Sequence, residues 1–410
     1  MINKTILRNF ASLGAMQAIN YILPIILTPF LVMTIGISNV GIIATMTAIS
    51  AYFQLVIDYG FNLTATREIA KNSADHNMVS RITSAVFSIK VLFSFVILLL
   101  CLVSSLLFDF INGYFLTFIF TVLLTIMQSF FPVWHFQGMQ KMQFITFCNA
   151  LPKILCAIAI LLAIKNESDV WKVQLIYFIG AACSFIMAFI ALKFKFKFRF
   201  VFRFDDIKLC LIDGLSVFTA RLASGLYKNF NVLILGYFST PAAVGVYSIA
   251  EKVLRSLQMV QNVAGDTLYP MFSKNVQSKS DFFKMMTKRY AKYIILLYLL
   301  SAVVIYSASP FVSHFLARTT EHELTQSLQI MSLAFFFGGM NYIFAILGLM
   351  TSGYNKEFSI CVIYTGLFNM IVATALSFKY SYLGGAFALV LSEVFLFILV
   401  FYYSKKSGVI

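Results

Sequence analysis

Arg221, Ser224, Gly225 and Lys228 fall inside an otherwise apolar run, at offsets of three, four and seven from the first. On a helix these positions share one face. Farther on, Glu251, Arg255, Gln258, Asn262 and Asp266 form a second polar stripe in an apolar setting, held narrow by a turn of about 100° per residue. Asn149 and Lys153 repeat the pattern on a smaller scale. Such residues suit an anionic ligand, because Arg grips phosphate through a fork of donors and Lys acts as a point charge. Arg221, Lys228, Arg255 and Lys153 are therefore the candidate anion-binding cations, with Gln258 and Asn262 as candidate hydrogen-bonding contacts to ligand or water. The acids within apolar runs, Asp58, Glu251, Asp266 and Glu393, are the groups able to exchange a proton or Na⁺. Structural alternatives stand beside these roles. Glu251 and Arg255 are spaced for an ion pair, Glu393 fits a neutral hydrogen-bonded acid, and Lys90, Lys252 and Lys292 can snorkel to an interface. There is no phosphate-cradling glycine loop, metal-ligand cluster or nucleophile elbow, so neither a cofactor nor a metal is expected.

These side chains need a bilayer around them to be informative. The chain has 410 residues, of which 60% are hydrophobic and 11% charged, with a mean hydropathy of +0.87. A soluble domain carries roughly 45–50% apolar and about 25% charged residues. A spanning helix needs ~20 mainly apolar residues. About twelve runs qualify: 10–35, 41–62, 82–107, 113–136, 144–164, 173–192, 214–237, 246–270, 290–316, 324–350, 358–378 and 383–403. The expected fold is an all-α polytopic membrane protein, because barrel strands would be short and alternating. An ionised group at mid-bilayer costs about 2.5–3.5 kcal/mol on insertion scales, so the stripes above must face a cavity or another helix. The six cysteines form no Cys-x-x-Cys pair and read as small buried apolar residues.

Lys and Arg placement sets the orientation. Of these residues, 20 fall on one set of loops and termini, and only Lys165, Lys172, Arg318 and Lys379 on the other. Both termini are thus expected in the cytoplasm. The net charge of +15 is then mostly positive-inside charge, which removes the case for a nucleic-acid partner. The stretch KFKFKFRFVFRF at 193–204 marks a cytoplasmic interface that attracts anionic membrane lipids. It divides the chain into an N-terminal six-helix bundle at 1–192, a basic linker at 193–213 and a C-terminal six-helix bundle at 214–410. Residues 38–44 read SNVGIIA and residues 242–250 read AAVGVYSIA, which aligns Gly41 with Gly245. Halves of even helix count are parallel repeats, and two such bundles are expected to enclose a central cavity.

Three blocks carry a family resemblance: DYGFNLTATREIAK at 58–71, FPVWHFQGMQKM at 131–142 and LGYFSTPAAVGVYSIAEKVLRS at 235–256. With the order and number of helices, the chain resembles a Wzx-type O-antigen flippase. That is the polysaccharide transporter branch of the multidrug/oligosaccharidyl-lipid/polysaccharide exporter superfamily. The resemblance implies an undecaprenyl-diphosphate-linked oligosaccharide as substrate, moved from the cytoplasmic to the periplasmic leaflet of the bacterial inner membrane. It also implies alternating access, coupling to a cation gradient, and the O-antigen polymerase and chain-length regulator as candidate partners. One rival is a drug or metabolite exporter of the same superfamily, which the cation-rich interior disfavours. Another is a membrane enzyme such as the polymerase, which would carry a large outer loop where this chain has short ones at 165–172, 238–245 and 317–323.

Overall fold

The computed structural model describes residues 4–274 and 279–410. The chain is helical, with no strand among the described residues. The helices are α1 (Lys4–Asp58), α2 (Phe61–Lys71), α3 (His76–Leu107), α4 (Asp109–Gly113), α5 (Phe115–Phe130), α6 (Val133–Gly138) and α7 (Gln143–Ala163). They continue with α8 (Val170–Phe194), α9 (Phe204–Lys228), α10 (Phe230–Phe238), α11 (Pro241–Lys274), α12 (Lys279–Leu316) and α13 (Glu321–Asn341). A π-helical stretch, Tyr342–Met350, and α14 (Asn355–Lys406) complete the chain.

Eight segments among the described residues are long and apolar enough to cross a membrane. The first, Met16–Lys71, has 56 residues and the last, Asn355–Lys406, has 52. At ~1.5 Å per residue either exceeds twice the ~30 Å of a hydrocarbon core. Each is broken where the expected pairs of spans divide. Gly36 (φ 81°, ψ 157°) interrupts α1 and Ser381 (φ 52°, ψ −130°) interrupts α14. The expected spans 214–237 and 246–270 are also helical, within α9, α10 and α11, but are not among those eight. The chain is a multi-pass membrane protein.

Two compact units emerge: residues 1–30 with 46–225, and residues 31–45 with 226–410. In the first, α5 and α7 both pack on α8. The chain leaves α1 through Tyr59 (φ 42°) and Gly60 (φ 84°), and α2 then buries Phe61, Thr64, Ala65 and Ile69. That spacing is one helical face, and it lies on α6: a Cβ on Gly138 would sit 2.6 Å from Ile69 Cγ2. Thr66 Oγ1 donates to the Trp134 carbonyl at 3.3 Å. The blocks at 58–71 and 131–142 therefore meet in space.

The basic stretch at 193–204 is pinned to this unit. Phe198 is buried in the aromatic core with Phe87, Trp134 and Phe136, while Phe200, Phe202 and Phe204 are exposed. The Val201 N–H donates to Ser84 Oγ at 2.9 Å. Arg81 binds Asp206 through two bonds of 2.9 and 2.6 Å. Those bonds hold the Asp206 carboxyl below the usual carboxylate range.

In the second unit, α13 packs on α12, α14 and α11, and α10 packs on α14. Residues 31–45 join it through a close helix crossing, because Gly41 and Gly245 each face the other segment's backbone.

Candidate functional site

In the second unit, Tyr247, Glu251, Arg255 and Gln258 follow one another along a face of α11. Arg255 Nη2 lies 3.2 Å from Glu251 Oε1, and Nη1 donates to Gln258 Oε1 at 3.3 Å. The ion-pair alternative for Glu251 and Arg255 is therefore realised. Glu393, on α14, accepts from Asn341 Nδ2 of α13 at 2.7 Å. A Cβ on Gly338 would meet Gln258 Nε2 at 2.8 Å and Glu393 Oε2 at 3.8 Å, so this glycine leaves room for both side chains beside α13. A buried chain of neutral bonds runs alongside. Asn231 Nδ2 donates to Tyr247 Oη at 3.1 Å, Asn369 Nδ2 to Asn231 Oδ1 at 3.0 Å, and Ser392 Oγ to Asn369 Oδ1 at 2.8 Å. Arg255, Asn231, Thr365, Asn369, Ser392 and Glu393 line a cavity of about 70 Å³. At ~30 Å³ of liquid volume per water, that holds a couple of waters and no sugar ring. Glu393 is the one carboxylic acid among its described lining residues.

The first unit holds a larger space, of about 570 Å³. Six amide side chains line it: Gln17, Asn20, Gln54, Gln128, Gln137 and Asn149. Lys153 and Tyr177 join them. Asn149 and Lys153 are one turn apart on α7, as the sequence indicates, and Lys153 Nζ donates to Asn20 Oδ1 of α1. No Asp or Glu is among the described lining residues. The volume lies within the ~300–1,000 Å³ of ligand pockets.

Asp58 is paired. Its Oδ1 lies 2.7 Å from Lys90 Nζ, which also donates to the Ser129 carbonyl at 2.6 Å and stands 4.5 Å from the centre of the Trp134 ring. Lys90 is 0% exposed. The expectation that it snorkels is corrected: an acid 32 residues earlier in sequence holds it in the core. Arg221 is half-buried on α9 and belongs to the first unit, whereas Arg255, Gln258 and Asn262 belong to the second. Asn262 is exposed, while its neighbour Gln261 is buried and donates to the Phe335 carbonyl at 3.2 Å. The side chains of Lys228 and Asp266 lie outside the described residues. No cluster of three or more His, Cys, Asp or Glu suited to a metal occurs among the described residues.

Charge is what sequence reading follows, and it overlooks Gln17, Asn20, Gln54, Gln128 and Gln137. Their signal is an amide inside an apolar run, repeated in α1, α5 and α6.

Residues 6–276 match the model of a family described as polysaccharide biosynthesis protein. A protein of Escherichia coli (strain K12) named "Putative O-antigen transporter" is 26% identical over 94% of this chain and 93% of its own length. A namesake from Shigella dysenteriae is 24% identical over 98% of this chain and 99% of its own. Among solved structures, an inward-facing multidrug resistance MATE family transporter of the MOP superfamily aligns with a TM-score of 0.68 and 11% identity. It covers 95% of this chain and 98% of that one. The lipid II flippase MurJ, in an inward closed conformation, aligns with a TM-score of 0.68 and 14% identity, covering 97% of this chain and 88% of that one. These structural likenesses establish the fold.

Proposed function

The chain belongs to the polysaccharide biosynthesis protein family, and from that premise we propose that it flips an undecaprenyl-diphosphate-linked oligosaccharide from the cytoplasmic to the periplasmic leaflet of the bacterial inner membrane. The relatives named as O-antigen transporters span nearly the whole chain and support this cargo. The observation that carries the reading is the cavity lined by six amides inside a membrane-spanning unit. An amide offers two donors and an acceptor, which matches sugar hydroxyls that both give and take hydrogen bonds. Polar groups without partners in hydrocarbon cost several kcal/mol each. A lining of this kind suits a polyhydroxylated cargo better than the apolar cations of a drug exporter. Exposed Lys193, Lys195, Arg199 and Arg203, set among exposed Phe194, Phe200 and Phe202, fit the anionic cytoplasmic leaflet.

The experiment is flipping of a lipid-linked oligosaccharide by the full chain in proteoliposomes. Gln54→Leu combined with Asn149→Leu should slow it at least tenfold at equal protein content. An undiminished rate removes the cavity from the path, and a wild-type chain that moves no lipid-linked sugar ends the reading.

Alternating access, driven by a cation gradient, completes the proposal, with Glu393 as the exchanging group. Its cavity admits water but not cargo, and Arg255 stands on the same lining. Glu393→Gln keeps the bond from Asn341 within reach and removes the titration. Flipping should then lose its response to an imposed pH gradient while the protein stays in the membrane. A response equal to wild type would take Glu393 out of the coupling.

A further inference from the structure

Resting on that reading, we propose that the π-helical stretch Tyr342–Met350 is a switch between two helical registers, and that it sets whether Asn341 holds the Glu393 carboxylate. The π-helix is rare and occurs mostly as a single-turn bulge, often at a functional site. Here it runs for 9 residues. It begins directly after Asn341, whose Nδ2 donates to the Glu393 carboxylate at 2.7 Å and to the Glu393 carbonyl at 3.0 Å. A π turn closes its hydrogen bonds one residue farther along than an α turn. Tightening one such turn to α rotates α13 against α14 by on the order of 100°, the angle of one residue. That rotation carries Asn341 off Glu393.

The surroundings permit such a turn. A Cβ on Gly338 would meet Gln258 Nε2 at 2.8 Å, and one on Gly339 would run into the Tyr298 ring. With glycine at both positions, no side chain is dragged past α11, α12 and α14 as α13 rotates. At the far end, Thr351 Oγ1 donates to the Leu347 carbonyl at 2.6 Å and lies 3.3 Å from the Gly348 carbonyl. Backbone carbonyls in lipid need partners, and one hydroxyl within reach of two successive carbonyls serves either register. The π register itself is held by packing, since Ala345, Leu347 and Leu349 are buried with Phe283 of α12 and with Cys361 and Val400 of α14.

The charge on Glu393 selects the register. An ionised carboxylate accepts a hydrogen bond about twice as strongly as a neutral group. Ionised Glu393 therefore keeps Asn341 and the π turn, and protonation releases both. Arg255 of α11 lines the same cavity, with Glu251 as its partner and Tyr247 one turn before that. The π stretch brings Tyr342, and α10 brings Tyr237, which is exposed. The charges of α13, at Glu321, His322 and Glu323, lie at its opposite end. On α14 itself the nearest are Lys379 and Lys405, several turns away.

The test is the distance between two spin labels on the full chain in proteoliposomes. They are attached to cysteines replacing the exposed Leu333 of α13 and Ile398 of α14. Cys183 and Cys210 are changed to serine, since the other native cysteines are buried. A turn of about 100° moves a label on the ~5–6 Å radius of a helix by about 8 Å. Wild type should show two distances. The second should gain roughly fivefold on acidification, the difference between a neutral and a charge-assisted hydrogen bond. Deleting Ile346 shortens the π stretch by one residue and should leave the second distance alone. Asn341→Leu should favour that distance at every pH, and Glu393→Gln should make the ratio independent of pH. A single distance in wild type at every pH, or a ratio in Glu393→Gln that still follows pH, overturns the proposal. If the deletion does not fold, Asn341→Leu decides, and a ratio there equal to wild type overturns it too. Gradient-driven flipping by a chain with one register refutes the inference alone. Two registers in a chain whose flipping ignores the gradient refute the coupling reading.

Discussion

Replacing Lys90 with Met should lower the yield of folded protein in the membrane by more than tenfold, and adding Asp58→Asn should restore most of it. Lys90 is 0% exposed, and its ammonium lies 2.7 Å from Asp58 Oδ1 and 2.6 Å from the Ser129 carbonyl. Removing one member of such a pair leaves the other charge without its partner, a loss of about 3–5 kcal/mol. Replacing both members with groups of similar shape is often neutral. Methionine keeps the length of the lysine stem and packs well beside an aromatic ring, here Trp134. The pair ties the end of α1 to α3 and to the break between α5 and α6, so its loss should loosen two of the sequence blocks at once. Size-exclusion profiles of a fluorescent fusion would measure folded yield. A double variant no better than the worse single, or a Lys90→Met chain as abundant as wild type, would show that the pair does not hold this unit. The same series decides what Asp58 does. As a coupling acid, Asp58→Asn alone would leave yield intact and abolish gradient-driven flipping. As half of an ion pair, it costs protein first.

Length and hydropathy suffice to read most of the helices, because lipid demands long apolar runs and tolerates breaks only between them, whereas 214–237 and 246–270 are helical without being among the eight segments long and apolar enough to cross. The divisions expected between residues 35 and 41 and between 378 and 383 contain the non-helical Gly36 and Ser381. Interior charges are equally legible, since a Lys or Glu stands out among Leu and Phe. What each charge meets is not. Lys90 and Lys153 look alike in sequence, yet one finds Asp58 from α1 and the other finds Asn20, also from α1. The difference lies in which turn of α1 each one faces, which is tertiary information. The six-amide cavity was hidden for a related reason. Each amide is unremarkable in its own segment, and only the convergence of α1, α5, α6 and α7 makes it a lining. Arg255 stands out in the sequence by its charge alone, and only the fold shows that Glu251 and Gln258 are its partners.

Gly41→Ala and Gly245→Ala should each be as damaging as breaking the ion pair, although each adds a single carbon. A Cβ on Gly41 would lie 1.8 Å from the Pro241 carbonyl oxygen and 2.8 Å from the Gly245 nitrogen. A Cβ on Gly245 would lie 2.3 Å from the Ile37 carbonyl oxygen and 3.2 Å from the Ile37 carbonyl carbon. Nearly all of these contacts are backbone, so no rotamer change relieves them and the helices themselves must part. Small residues that let backbones touch are how membrane helices associate where the hydrophobic effect is absent, and overpacking such a contact costs about 1–3 kcal/mol or more. The likeness of SNVGIIA and AAVGVYSIA thus has a structural basis: the matching glycines of the two halves are the small surfaces of one crossing. Gly113, with nothing within 4 Å of its added Cβ, supplies the control, and Gly113→Ala should leave thermal stability in detergent unchanged. Because Gly41 and Gly245 share the contact, their losses should not add. The double alanine variant should melt close to the worse single, since helices already pushed apart by one methyl make room for the other. Full additivity, or a Gly41→Ala chain as stable as Gly113→Ala, would mean that these segments do not cross at their glycines.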